Sequence, residues 1–280
     1  MKRLVRVQFT AVPQRDSVLP PLSSKVVKEL ILSGKLLPSL SSLVRSRDKD
    51  KPLFISNLIE NGRRLFNRRD GDVVFVEAGT RLKFFVSFPY YDYFVSELRS
   101  GLFETRYGDF LVNVSKVQLL DLDELNKVEP NGKNFLIKFV SPTLLSSKTL
   151  LPPSLKEKYK GVKPGYSLIP SVGLVLAYAY KVYSAFLGRR ASEEITYRLG
   201  VLGNALSKVL GYHLEPVTVV IGRDEKGNLR EARGFVGWME FDIADPSLKR
   251  TVIKYLLVSS FLGLGKSRGI GLGEVIVELK

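Results

Sequence analysis

The chain has 280 residues, 45% of them hydrophobic, enough to bury a core in one large domain or two ordinary ones. Lys and Arg number 43 against 28 Asp and Glu, a net charge of +15, which points to a polyanionic partner, nucleic acid ahead of an anionic membrane. With no Cys and one His, disulfides, thiolate chemistry, Cys-based zinc sites and clustered-His metal sites are excluded.

The opening "MKRLVRVQFT" alternates apolar and charged residues. That predicts a first strand, and it lacks the apolar core of a secretory signal. Pro20 and Pro21 break the chain. Ser24 then caps a predicted helix running to Ser33 and closed by Gly34. Val26, Val27, Leu30 and Ile31 share its apolar face; Lys25 and Lys28 lie about one turn apart on the other. A basic, Ser-rich loop follows ("SLSSLVRSRDKDK"), then strands in "PLFISNLIE" and "VVFVEAGTRLKFFVSF". A short helix in "YDYFVSELRSG" is expected to stop at Gly101, ahead of a strand in "DFLVNVSKVQLL". The order β-α-β-β-α-β is that of a ferredoxin-like unit.

The polar stretch "DELNKVEPNGKN" reads as a linker, and "FLIKFVSP" as the strand that starts a second unit. Helices are predicted at about Val172 to Leu187 and Ser192 to Leu210. The most apolar run, "SVGLVLAYAY", spans about ten residues, short of the ~20 needed to cross a bilayer. The protein is expected to be cytoplasmic. "EPVTVVIG" and "REARGFVGWMEFDI" flank the turn "RDEKGN" as a hairpin, with Arg230 and Arg233 among the basic residues offered to a partner. Asp245-Pro246 starts a helix that runs to about Leu262. A glycine loop and a last strand, "EVIVEL", end the chain. The fold class is α+β with antiparallel sheets. The carboxylates of "DLDEL" near residue 121 read as a surface strand end, and His213 as an ordinary surface or half-buried side chain.

The loop "GLGKSRGIGLG" places five glycines in eleven residues around Lys266, Ser267 and Arg268. It is not a P-loop: Ser260 stands where the first glycine is required, and the order is helix, loop, strand rather than strand, loop, helix. An anion there must be held by turn N–H groups and by Lys266 and Arg268, an arrangement suited to the backbone phosphate of a long polyanion. Gly265 and Gly269 border that proposed cradle. Capping the helix and turning the chain is the plainer role for the glycines, though one or two would do that.

The β-α-β-β-α-β opening, the "SPT" after the first strand of the second half, "KPLFISNL", "GFVGWMEFDI" and the final helix with its glycine loop together resemble the CRISPR repeat-RNA (pre-crRNA) processing endoribonucleases of the RAMP superfamily. The resemblance covers nearly the whole chain. It implies two tandem ferredoxin-like (RRM-like) domains, at 1–125 and 126–280, and binding of CRISPR repeat RNA. It also implies metal-independent cleavage by 2′-hydroxyl attack, with no cofactor, leaving a cyclic phosphate and a 5′-hydroxyl. CRISPR effector subunits and a second copy of the chain are the further partners it admits. Many members carry a His in the loop before the "KPLFISNL" block; here Ser46 falls near that position, between Arg45 and Arg47, and Leu32 falls where a Tyr is often found. Catalysis is therefore expected to rest on cations. Lys28 and Lys51 are the pair expected to stabilise the phosphorane, with Lys25 in reserve; RNA is expected to contact Gly265, Lys266, Ser267, Arg268, Gly269, Arg230 and Arg233. The absent His favours an alternative, a non-catalytic RAMP subunit that binds RNA within an effector complex. A nucleotide-dependent enzyme is disfavoured by the loop direction.

Overall fold

The structure, a computed structural model, describes residues 2–69, 72–130 and 134–280. Its amino-terminal half is built on β1 (Arg3–Pro13), β2 (Ser17–Leu19), helix α1 (Ser24–Leu32), helix α2 (Ser41–Arg45), β3 (Phe54–Ile55), β4 (Ile59–Glu60), β5 (Arg63–Arg64), β6 (Val74–Val76), β7 (Leu82–Pro89), β8 (Gly101–Thr105) and β9 (Gly108–Asp121). β1 lies antiparallel between β7 and β9, in the order β5-β4-β7-β1-β9-β8, with β3 also on β7. Val5, Val7, Phe9 and Ala11 alternate to one side of β1 and join Val26, Val27, Leu30 and Ile31 of α1 in one core. Phe9 stacks on Phe84 at 4.9 Å between ring centres, and both are buried.

The second half follows helix α3 (Leu122–Leu125). It comprises β10 (Phe135–Thr143), helices α4 (Pro153–Lys156), α5 (Val172–Phe186) and α6 (Glu193–Ala205), strands β11 (Ser207–Arg223) and β12 (Leu229–Ile243), helix α7 (Pro246–Leu262) and β13 (Val275–Leu279). The sheet order is β11-β12-β10-β13, antiparallel throughout. α5 is buried almost all round, as its uniform apolarity requires, and packs against α6 and α7. Asp245 caps α7 by accepting from the Leu248 N–H at 2.6 Å, with Pro246 in the first turn. Two α+β units of ferredoxin-like plan thus stand in tandem.

Four local expectations are corrected. The Ser-rich stretch at 39–51 is not all loop: Ser41–Arg45 forms α2, because Val44 and Leu40 have a core to enter. The helix expected at 91–101 is one 3-10 turn, Phe94–Glu97, and Gly101 opens β8 instead of closing a helix. There Phe94 sits among the rings of Phe88, Tyr90 and Tyr91, and this packing outweighs helical continuation. The segment 207–210 leaves the expected helix because Ser207 pairs with Ile243 and begins β11. In the expected linker, Leu122–Leu125 is helical and is capped by Asp121, which also pairs with Arg3; its Asn131, Gly132 and Lys133 lie outside the described residues. No helix among the described residues is long and apolar enough to cross a membrane.

The halves meet through a shared apolar cluster and through two cations. Leu4 and Leu125 pack with Val182 and Phe186 of α5 and Val258 and Leu262 of α7. The Arg6 guanidinium lies between the rings of Phe85, at 4.4 Å, and Phe261, at 4.6 Å. It donates to the carbonyls of Ser260 and Phe261, and burial lowers its pKa to about 10. Arg64 of β5 grips the buried Glu274, just ahead of β13, through both carboxylate oxygens.

Candidate functional site

The glycine loop is seated against the first half by polar contacts from two elements. Ser24, at the start of α1, donates its hydroxyl to the Ile270 carbonyl at 2.7 Å. Asn57, fully buried after β3, donates to the Gly271 carbonyl at 2.8 Å and accepts from the Ser24 N–H. From the other side, Pro142 accepts from the Gly273 N–H at 2.9 Å and Ser141 accepts from the Glu274 N–H at 2.8 Å. The "SNL" and "SPT" stretches are therefore the two walls of the loop's seat. Gly271 has φ +84°, and a Cβ there would lie 2.5 Å from the Asn57 amide. The outer glycines serve close packing, and Lys266 to Gly269 are left as the tip.

That tip faces α1 and the loop after α2 across a cleft of about 410 Å³. Lys28, Arg47, Lys49 and Lys51 line one side; Tyr166, Lys266, Ser267 and Gly269 line the other. The Lys51 ammonium donates to the carbonyls of Val44, at 2.8 Å, and Ser46, at 3.0 Å, so it caps the end of α2. Its pKa is lowered, first by burial and then by Lys28 and Arg268, with Asp48 opposing. The lowered pKa makes its ammonium a readier proton donor than an exposed lysine. Lys266 holds its ammonium 5.2 Å above the Tyr166 ring. Burial, and the nearby Lys181 and Lys49, lower its pKa too. Ser267 adopts a left-handed backbone, φ +64°, which turns the tip.

The sequence-predicted residues divide. Lys28, Lys51, Lys266, Ser267 and Gly269 meet in the cleft, brought together from opposite ends of the chain. Arg268, expected as a phosphate contact, also borders it, with its guanidinium turned to backbone carbonyls. It is 4% exposed, and its guanidinium donates to the carbonyls of Leu262 and Lys51, each at 3.0 Å. Burial lowers its pKa to about 10. Gly265 is buried as well, with φ +93°, and is not in the cleft lining. Lys25 is not in the cleft lining; it donates to the Ile221 carbonyl at 2.6 Å, tying α1 to β11, and burial, then Lys28, Arg106 and Arg230, lower its pKa. Arg230 and Arg233 are exposed on β12, three residues apart, so strand alternation turns them to opposite faces. His213 is exposed on β11 with its ring 3.0 Å from Glu215. Ser46, near the family's His position, accepts from the Asp48 N–H through its hydroxyl. Tyr166 was missed. It follows Pro164-Gly165 in an aperiodic segment, where one aromatic between turn residues was the only signal. Among the described residues, no three His, Asp or Glu side chains gather as a metal-ligand set.

Comparison with known proteins accounts for nearly the whole chain. The family model "Cas6 N-terminal domain" matches residues 5–120, and "CRISPR-associated endoribonuclease Cas6" matches residues 137–275. Two proteins of Saccharolobus solfataricus are similar over full length. CRISPR-associated endoribonuclease Cas6 1 is 49% identical, with 99% of this chain and 97% of the relative aligned. CRISPR-associated endoribonuclease Cas6 2 is 48% identical, with 100% and 98% aligned. Among solved structures, a Cas6 product complex superposes with a TM-score of 0.63 at 14% identity, covering 99% of this chain and 100% of the other. Cas6 of Thermus thermophilus gives a TM-score of 0.59 at 14% identity, covering 99% and 98%. A RAMP protein described as binding different RNA substrates gives 0.53 at 16%, covering 98% and 99%. These structural likenesses establish the shared fold.

Proposed function

This chain belongs to the Cas6 family of CRISPR-associated endoribonucleases, and from that premise we propose that it cuts CRISPR repeat RNA in the cleft between α1 and the glycine loop. The observation that carries the siting is the meeting of Lys28, Lys51 and Lys266 in one cleft from remote parts of the sequence.

The chemistry needs no external nucleophile. The 2′-oxygen attacks the adjacent phosphorus, its proton passes to solvent, and a pentavalent phosphorane carries the added charge. The bond from phosphorus to the 5′-oxygen breaks and that oxygen takes up a proton. The products are a cyclic phosphate and a 5′-hydroxyl. Lys28 stabilises the phosphorane by charge. Lys51, with its lowered pKa, protonates the leaving oxygen. Arg268 touches no RNA in this scheme; it positions Lys51 through the backbone carbonyl. Lys266 and the Ser267–Gly269 backbone hold phosphate, and Tyr166 offers a ring on which a base can stack. With no His in the cleft, in-line alignment of the 2′-oxygen, phosphorus and 5′-oxygen carries much of the rate enhancement.

The absence of a cleft His also favours a second reading, RNA binding without cleavage. Incubation with repeat RNA in excess EDTA decides between them. Cleavage with a cyclic phosphate end, abolished by a single 2′-deoxy at the cut, supports the enzyme; binding without any cut supports the RAMP subunit. CRISPR effector subunits and a second copy of the chain belong to the same reading as partners, tested by light scattering with and without RNA.

A further inference from the structure

Beside the candidate cleavage cleft lies a second one, of about 260 Å³, walled by the turn Ser147–Leu150, α4, Tyr178 and Lys181 of α5, and the start of α6. Lys266 lines both, and Asp50 of this cleft directly follows Lys49 of the first, so the two adjoin at the tip of the glycine loop. Lys148, Lys156, Lys181 and Arg190 complete a set of five cations around it, against the carboxylates of Asp50 and Glu193.

The carboxylates do not saturate the cations. Asp50 approaches Lys181 at 3.3 Å. Glu193 is shared, at 3.7 Å from Lys156 and 3.9 Å from Arg190, longer than good charge-assisted hydrogen bonds. Lys148 donates to two neutral carbonyls, of Lys160 and Val162, which fix its position without cancelling its charge. Besides its burial, Lys266 feels Lys181, Lys49 and Lys148 as repulsive neighbours, with Asp50 alone opposing them. Cations held near one another and short of counter-charge gain from a further anion, and an RNA strand brings one negative charge with each backbone phosphate.

We propose that this second cleft is a phosphate subsite for the same RNA strand, gripping the sugar-phosphate backbone just beside the cleavage cleft. The inference rests on the RNA reading above and deepens it. Lys181 exchanges Asp50 for a backbone phosphate, and Lys156 and Arg190 exchange Glu193. Because phosphate contacts carry no base information, the subsite adds affinity and fixes the strand's path without adding sequence preference.

The test uses the full chain and one repeat RNA, with affinity measured over a range of salt and single-turnover cleavage at saturation. Lys156→Gln/Arg190→Gln is expected to weaken RNA binding about tenfold. The log–log salt slope should become shallower by about 0.7 for each phosphate no longer neutralised, with the saturated cleavage rate unchanged. Glu193→Gln, which releases both cations, is expected to tighten binding; it serves even if the double variant does not fold. Wild-type affinity and slope in these variants, or a change in the affinity of AMP but not of RNA, overturns the subsite. If wild-type protein neither binds nor cuts the RNA, the functional reading itself falls. If it cuts while the variants bind as wild type, only the subsite falls.

Discussion

Arg268 donates from its buried guanidinium to the backbone carbonyl of Lys51, at 3.0 Å, so the tip of the carboxy-terminal glycine loop holds the residue that enters β3 in the first half. A residue whose sequence context suggests a phosphate contact thus bonds to backbone carbonyls of both halves of the chain. Arg268→Ala is expected to orphan the Leu262 and Lys51 carbonyls, at about 1–3 kcal/mol each, and to let Lys51 drift. A lowered melting temperature, with a loss of saturated cleavage rate exceeding the loss of RNA affinity, is the expected result. A stable variant that only binds more weakly would return Arg268 to the phosphate contacts.

Lys28→Ala and Lys51→Ala should each lower the single-turnover rate at saturating RNA by about 100-fold, the size expected for removing a preorganised charge, with little change in affinity. Arg at either position should rescue in part, since charge is kept and geometry is not. Wild-type rates in both alanine variants would move the active site elsewhere.

The pH dependence follows from the sign of the Lys51 shift. A general acid works in its protonated form, and burial with Lys28 and Arg268 lowers the Lys51 pKa below the ordinary 10.5. The wild-type rate divided by that of Lys51→Arg should therefore be flat at neutral pH and fall at a pH below 10.5, since arginine stays charged throughout. Taking the ratio cancels the rise from hydroxide. A ratio that stays flat up to the ordinary lysine range would deny Lys51 the proton transfer.

Two glycines of the loop should behave oppositely. Gly271→Ala meets both a φ of +84° and the Asn57 amide at 2.5 Å, and about 1–3 kcal/mol of stability should be lost. Gly269→Ala has no positive φ and meets only the Lys51 Cε at 3.5 Å, an ordinary contact. Thermal melts of the two variants compare them directly; equal stability would mean the loop is not packed against Asn57 as described.

His213→Ala should cut at the wild-type rate, because the ring is exposed on β11, is engaged with Glu215 and lines no part of the cleft. A fall of about 100-fold or more, typical of a lost general acid or base, would make it catalytic.

The sequence by itself determined what local pattern and composition can encode. The alternation of β1, the apolar face of α1, the Asp245-Pro246 start of α7 and the hairpin around residues 223–228 are all periodicities or capping signals within a few residues. The +15 charge pointed to a polyanion, and the order of the motifs pointed to the family. Tertiary structure alone decided which cations line the cleft. Lys25, Lys28, Lys51, Lys266 and Arg268 look alike in sequence, but a cation's role depends on the carbonyls and charges around it, supplied here from distant segments. Lys25 donates to Ile221 and does not line the cleft, Arg268 is buried on Leu262 and Lys51, and Lys51, itself bonded to the Val44 and Ser46 carbonyls, lines the cleft with Lys28 and Lys266. The turn at Phe94–Glu97 and the strand at Ser207 escaped prediction for the same reason: ring packing and cross-strand pairing outweighed the local helical preference.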